Sequence, residues 1–194
     1  MKIFQVDAFV TECAFSGNPA AVCPLDSWIE DELLQGIAAS NNLSETAFFV
    51  PKDSYFELRW FTPNFEIDLC GHATLASAHV LFNHLSYPNE SIYFKSFFSG
   101  DLFVEKQDDL ILLDFPSKPA KKLGEIDSQL IKGLGIEVQE VYQSRDYMVV
   151  LPSEKDVLSI SPNYYELSKL KTLGVIVTAP GANCVISSQG FYTS

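Results

Sequence analysis

Cys70, Gly71 and His72 are adjacent residues of types that move protons or make room for an anion, and they open the run Ala73-Thr74-Leu75-Ala76-Ser77-Ala78-His79-Val80-Leu81-Phe82. After Gly71 there is no proline, glycine, acid or base other than histidine until Pro88, and apolar residues fall on every face. That pattern predicts a helix over residues 72–85 buried all round. The first N–H groups of a helix have no partner inside it and favour negative charge, so the start at Gly71-His72-Ala73 is a natural seat for an oxyanion or carboxylate. His72 could shuttle protons there near neutral pH, or be a hydrogen-bonded core histidine. Cys70 is either an acid/base thiol activated by the helix end or a buried, inert cysteine. Glu45, in Leu43-Ser44-Glu45-Thr46-Ala47-Phe48, is an acid at the mouth of an apolar strand, placed for proton transfer if half-buried and otherwise an ordinary solvent-facing strand end. Asn18 orients a ligand or merely makes its turn, and Asp68 is positioned to cap the turn before the helix. His79 reads as packing and His84 as surface.

The elements that must hold these residues follow from periodicity. Ile3 to Phe9 reads as a strand, Ser16-Gly17-Asn18-Pro19 as a turn, and Ala20 to Cys23 as the next strand. Ser27-Trp28-Ile29-Glu30 fits a capping box, and Trp28, Ile29, Leu33, Leu34 and Ile37 give an amphipathic helix ending near Ser40-Asn41-Asn42. Thr46 to Val50 and Tyr55 to Phe61 form a hairpin with Phe56, Leu58 and Trp60 on one face. Beyond the buried helix come strands at 92–98, 102–105 and 110–115. The order of strands, helix, strands predicts an α+β fold in which a mostly antiparallel sheet is rolled around one central helix, with Leu75 and Leu81 inside. Prolines and lysines cluster at 116–122, which places a domain boundary there, giving a first domain over 1–116 and a second over 117–194. The second is read as a helix at 128–134, strands at 138–143 and 147–152, a helix at 162–170 and a strand at 175–179.

Composition narrows the function. The 13 basic against 25 acidic residues give a formal charge of −12, which would repel nucleic acid and anionic lipid, so neither is expected as a partner. No apolar run reaches ~20 residues, and the N-terminal stretch carries Asp7 too early for a signal-peptide core, so a cytoplasmic protein is expected. Cys13, Cys23, Cys70 and Cys184 are scattered without a C-x-x-C pair, so neither a disulfide framework nor a metal site is expected.

The segments Ser16-Gly17-Asn18-Pro19-Ala20-Ala21-Val22, Asn42 to Phe48, Leu58-Arg59-Trp60-Phe61-Thr62-Pro63 and Leu69 to Ala76 resemble, in content, order and spacing, those of the PhzF family of phenazine-biosynthesis-like proteins. The resemblance runs from Met1 to about Cys184. It implies the diaminopimelate-epimerase type of fold, two pseudo-symmetric domains each with a sheet rolled around a central helix. It also implies an isomerase that works without a cofactor, moving a proton between carbons of a small carboxylate substrate. Glu45 stands at the position of the catalytic acid/base. Asn18, Gly71, His72 and Ala73 stand at substrate-holding positions. Related epimerases use a cysteine pair, and Cys70 lies where one of the pair would be, without an identifiable second thiol.

The resemblance fails after Cys184, where such proteins continue with a segment like Asp-Phe-Val-Ser-Arg and a second central helix. Here Ile186-Ser187-Ser188-Gln189-Gly190 follows, which is what codons for Asp-Phe-Val-Ser-Arg yield when read one base out of frame. A frame shift near Cys184 and an incomplete second domain are therefore expected. With the second half-site missing, Glu45 and His72 are expected to face water, activity to be very low, and exposed apolar surface to drive association as a homodimer. The rival expectation is an inactive remnant or a binding module of the same fold.

Overall fold

The structure is a computed structural model describing residues 1–10, 16–182 and 186–192. Cys13 and Cys184, and with Cys184 the expected frame-shift point, lie outside the described residues. Contacts divide the chain into two compact units, Met1–Pro116 and Ser117–Ser194. Among the described residues no helix is long and apolar enough to cross a membrane.

In the first unit, β1 (Phe4–Ala8) pairs antiparallel with β2 (Asn18–Pro24). Gly17, just before β2, has φ +97°, and a Cβ there would come within 2.8 Å of the Ala8 carbonyl, so both backbone and packing require glycine. Helix α1 (Asp31–Asn41) carries the chain to β3 (Glu45–Pro51), parallel to β2, and β3 pairs antiparallel with β4 (Phe56–Phe61), which also takes the two-residue β5 (Glu66–Ile67). Helix α2 (Gly71–His84) then leads to β6 (Ser91–Ser96), parallel to β4, followed by β7 (Gly100–Gln107) and β8 (Leu110–Asp114). The sheet is thus mixed, with order β1-β2-β3-β4-β6-β7-β8 and β5 beside β4. The expected mostly antiparallel sheet gives way at two places because parallel neighbours need a crossover, and α1 and α2 each supply one.

The predicted buried helix is α2, and it packs against β1, β2, β3 and β8, so both ends of the strand order meet the same helix and the sheet is curled around it. Its core side chains are mostly small: Ala73, Thr74, Ala76, Ser77 and Ala78, with Val80 and Leu81. They sit with Ala20, Val22, Ala47, Phe49, Leu58 and Trp60 from the strands. Burial on all sides is not observed. Gly71, Leu75, His79 and Phe82 form a half-buried stripe at helical spacing, so Leu75 is not a core residue as expected.

On the other face of β3 and β4, Phe48, Val50 and Phe61 pack under Leu34 and Ala38 of α1. The capping box expected at Ser27 does not form. The helix begins at Asp31 with Glu30 at the N-cap position and no side-chain cap bond. Trp28 is drawn to β4 instead, where its indole N–H donates to Glu57 Oε2 at 2.7 Å and the Arg59 guanidinium lies 5.4 Å from its ring. Leu33, expected on the apolar stripe, is exposed, and the helix presents Leu34 and Ala38 inward.

The second unit has a sheet of order β13-β12-β11-β10-β9, made from β9 (Lys121–Lys122), β10 (Glu140–Gln143), β11 (Tyr147–Val150), β12 (Gly174–Pro180) and β13 (Ile186–Tyr192). Its helices are α3 (Ser128–Leu134), α4 (Glu154–Leu158) and α5 (Tyr164–Leu167). The helix expected over 162–170 is only the four residues of α5, capped by the Asn163 side chain. A Cβ at Gly133 of α3 would meet Leu167 of α5 at 2.2 Å, so a glycine lets these two short helices touch. Neither α4 nor β13 was expected. β13 pairs antiparallel along the whole of β12, from Gly174 opposite Tyr192 to Pro180 opposite Ile186.

Candidate active site

Strand alternation brings the first two site residues to one place. Asn18 shares a face with Ala20 and Val22, and Glu45 with Ala47 and Phe49, all four of the apolar residues being core. The parallel register sets Ala20 opposite Glu45, so the polar residues stand at the end of the apolar face. Asn18 Oδ1 accepts from the Ser44 hydroxyl at 3.1 Å, which ties the start of β2 to the residue before Glu45. Among the described residues, the Asn18 side chain bonds to Ser44 and not to Glu45 or His72.

The chain reaches the same place again at the start of α2. His72 Nε2 lies 3.0 Å from Glu45 Oε2. The expectation that these groups face water is overturned, since their side chains are only 10% and 16% exposed. Both contacting atoms are shielded from solvent, yet the contact is out of hydrogen-bond alignment, so the acid and the imidazole touch without saturating each other. Such loose alignment is common in catalytic pairs before a substrate is bound. On the other side of the ring, His72 Nδ1 lies 3.4 Å from Cys70 Sγ.

Cys70 is the N-cap residue of α2 in extended backbone, and its carbonyl accepts both the Thr74 N–H at 3.1 Å and the Thr74 hydroxyl at 2.6 Å. α2 has no side-chain cap bond. The N–H groups of Gly71, His72 and Ala73 precede the first intrahelical bond. Burial pushes the Cys70 thiol up to about 12, helped by the Glu45 charge and opposed by the N–H groups of Ala73 and His72. The thiol therefore stays protonated at neutral pH, which disfavours it as a base. Gly71 is not demanded by packing, because a Cβ there would meet only the Phe115 ring at 3.7 Å. Ala73 is fully buried, so only its N–H can serve a ligand.

Glu45, Cys70 and His72 each offer one donor atom within 4.8 Å of the others, the geometry a metal centre would start from. The short contacts, however, use opposite nitrogens of the imidazole, Nδ1 toward the thiol and Nε2 toward the carboxylate. One ring nitrogen ligates a metal, so the set is a chain from thiol through imidazole to carboxylate rather than three ligands around a point. Sequence reasoning named each of these residues by type but missed Thr74. Its signal was available: a hydroxyl in the first turn of an apolar helix, four residues after the cap, bonds back to the carbonyl there.

An α+β protein with a curled mixed sheet, a second smaller sheet, and an acid and imidazole joined at a helix start is the class these observations define. The family profile described as phenazine biosynthesis-like protein (PhzC-PhzF) matches residues 6–189. The chain belongs to that family. It is 48% identical over 179 residues to an uncharacterized isomerase of Pseudomonas aeruginosa, covering 92% of this chain and 68% of that one. It is 44% identical over 180 residues to an uncharacterized isomerase of Halalkalibacterium halodurans, covering 91% of this chain and 67% of the other. The crystal structure of a PhzF family protein from Enterococcus faecalis superposes with a TM-score of 0.88 at 44% identity, over 98% of this chain and 73% of that one.

Proposed function

We propose that the chain is an isomerase that needs no cofactor and moves a proton between carbons of a small carboxylate, with Glu45 as the general acid/base. The observation that carries the reading is the 3.0 Å approach of His72 Nε2 to Glu45 Oε2 at a helix start whose first N–H groups are unpaired within the helix. Relatives that are 44–48% identical to this chain over the 179–180 residues aligned and bear the name isomerase support it. In this reading the Glu45 carboxylate takes a proton from a carbon next to the substrate's carboxyl group. The negative charge that develops on the substrate is held by the N–H groups of Gly71, His72 and Ala73. Protonated Glu45 then returns the proton to a second carbon, and His72, in contact with the same carboxyl group, keeps it aimed. Asn18 holds the edge of the substrate seat from β2.

The test is solvent exchange. The protein is incubated in deuterated water with small unsaturated and α-amino carboxylates, and deuterium uptake at carbon is followed by mass spectrometry. Uptake that disappears in Glu45→Gln, with the fold retained by circular dichroism, is the expected result. Uptake unchanged in that variant would remove Glu45 from the role. A folded protein that exchanges none of these substrates would favour a binding module of the same fold.

A further inference from the structure

We propose that Cys70 is a positioning residue whose neutral S–H donates to His72 Nδ1 and so holds the imidazole in the tautomer that presents Nε2–H to Glu45. The proposal deepens the reading of the Glu45 site, but its central claim concerns the ring's proton and stands apart from turnover. The geometry leaves little choice of partners. The contact is out of hydrogen-bond alignment, but a carboxylate only accepts and would repel a lone pair on a ring nitrogen 3.0 Å from Glu45 Oε2, so that nitrogen is best protonated. In a neutral imidazole the other nitrogen is then an acceptor that needs a donor, and the group facing it is Cys70 Sγ at 3.4 Å, within the longer range of sulfur bonds.

Local structure also fixes the sulfur. The Cys70 carbonyl is held by two bonds from Thr74, and the residue is 6% exposed, so neither backbone nor side chain has room to turn to solvent. The N–H groups of His72 and Ala73 favour the charged form of the sulfur, but α2 has no side-chain cap bond, so the S–H proton remains for the ring. Burial and the nearby Glu45 charge keep that proton in place, the thiol being pushed up to about 12. A cysteine at a helix start beside an acid and an imidazole would by residue type be read as a nucleophile or base. Here its surroundings make it a fixed donor, and the orientation passes through His72 to the acid.

Uniformly 15N-labelled histidine in the whole chain reports the tautomer directly from the ring nitrogen shifts and their couplings to ring protons at neutral pH. His72 is assigned by its loss in His72→Asn, with His79 and His84 as internal references. The wild-type ring is expected to carry its proton on Nε2, Cys70→Ser to preserve that pattern, and Cys70→Ala to show averaged shifts of exchanging tautomers. On the isomerase reading, kcat falls in Cys70→Ala by about tenfold or more with little change in KM, and Cys70→Ser restores most of it, as for a group that orients another. A wild-type His72 protonated on Nδ1 overturns the proposal even if no variant folds. So does a Cys70→Ala ring that keeps the wild-type tautomer. If Glu45→Gln leaves exchange intact while the tautomer behaves as expected, the isomerase reading fails and the assignment of Cys70 survives.

Discussion

Cys23 and Cys70 are both sealed in the first unit, and burial pushes each thiol up to about 12. The consequence for stability has a definite sign. Below the ordinary cysteine value of 9.0 both folded and unfolded chains hold these protons, whereas between 9.0 and about 12 only the folded chain does. Stability contributed by the two neutral thiols is therefore complete below that window and is lost as pH rises through it. At mildly alkaline pH, alkylation followed by peptide mapping should leave Cys23 and Cys70 unlabelled in the native protein and label them rapidly in urea. Native labelling of Cys70 at the denatured rate would show that its surroundings are open. Residue type alone marked Glu45, His72 and Cys70 as chemical. What it left undecided, the face and the partner of each, depends on register: Glu45 meets His72 because the strand alternates core-inward up to Glu45 and because α2 begins at Gly71, which puts His72 in its first turn. Neither fact is written in a single residue.

At the scale of elements, the small side chains of α2 decide how tightly the sheet can curl. Ala76 is fully buried against the strands, so Ala76→Leu should destabilise the protein by roughly 1–3 kcal/mol through overpacking. Leu81, 3% exposed at the far end of the same face, should cost about 2–5 kcal/mol on truncation to Ala. Leu75→Ala should cost clearly less than Leu81→Ala, because Leu75 lies on the half-buried stripe. Urea unfolding of the three variants measures all of this. Equal losses at Leu75 and Leu81 would mean that the helix is enclosed on every side. The helix itself was legible because a long run without breakers, apolar on each face, has few alternatives. The start of α1 was not, because a capping-box pattern competes with tertiary contacts, and the indole of Trp28 is better satisfied by Glu57 and Arg59 than by continuing the helix backward. The strand β13 was missed because Ser187, Ser188, Gln189 and Gly190 carry weak β preference, and only its pairing to β12 makes it a strand.

At the scale of the molecule, each hydrophobic cluster among the described residues draws on one half of the chain. Every side chain of the two cores around α2 and under α1 comes from residues up to Phe115, and every side chain of the third comes from Leu123 onward. Residues 116–120 are exposed and belong to no strand or helix. A segment that owns its whole core, and that at 116 residues is long enough to bury one, meets the requirements for folding by itself. Expressed alone, residues 1–116 should unfold in one cooperative urea transition and give a dispersed amide spectrum. Two further marks connect this fragment to the site. Leu81→Ala should lower its midpoint, as in the whole chain, because the cavity forms in the same core. The His72 ring should keep its Nε2 proton, because Glu45, Cys70 and Thr74 are all present in the fragment. A fragment that is collapsed but non-cooperative would show that the curled sheet depends on residues 117–194 for its closure. A cooperative fragment whose His72 ring has lost that tautomer would instead place the missing constraint on the imidazole in the second unit.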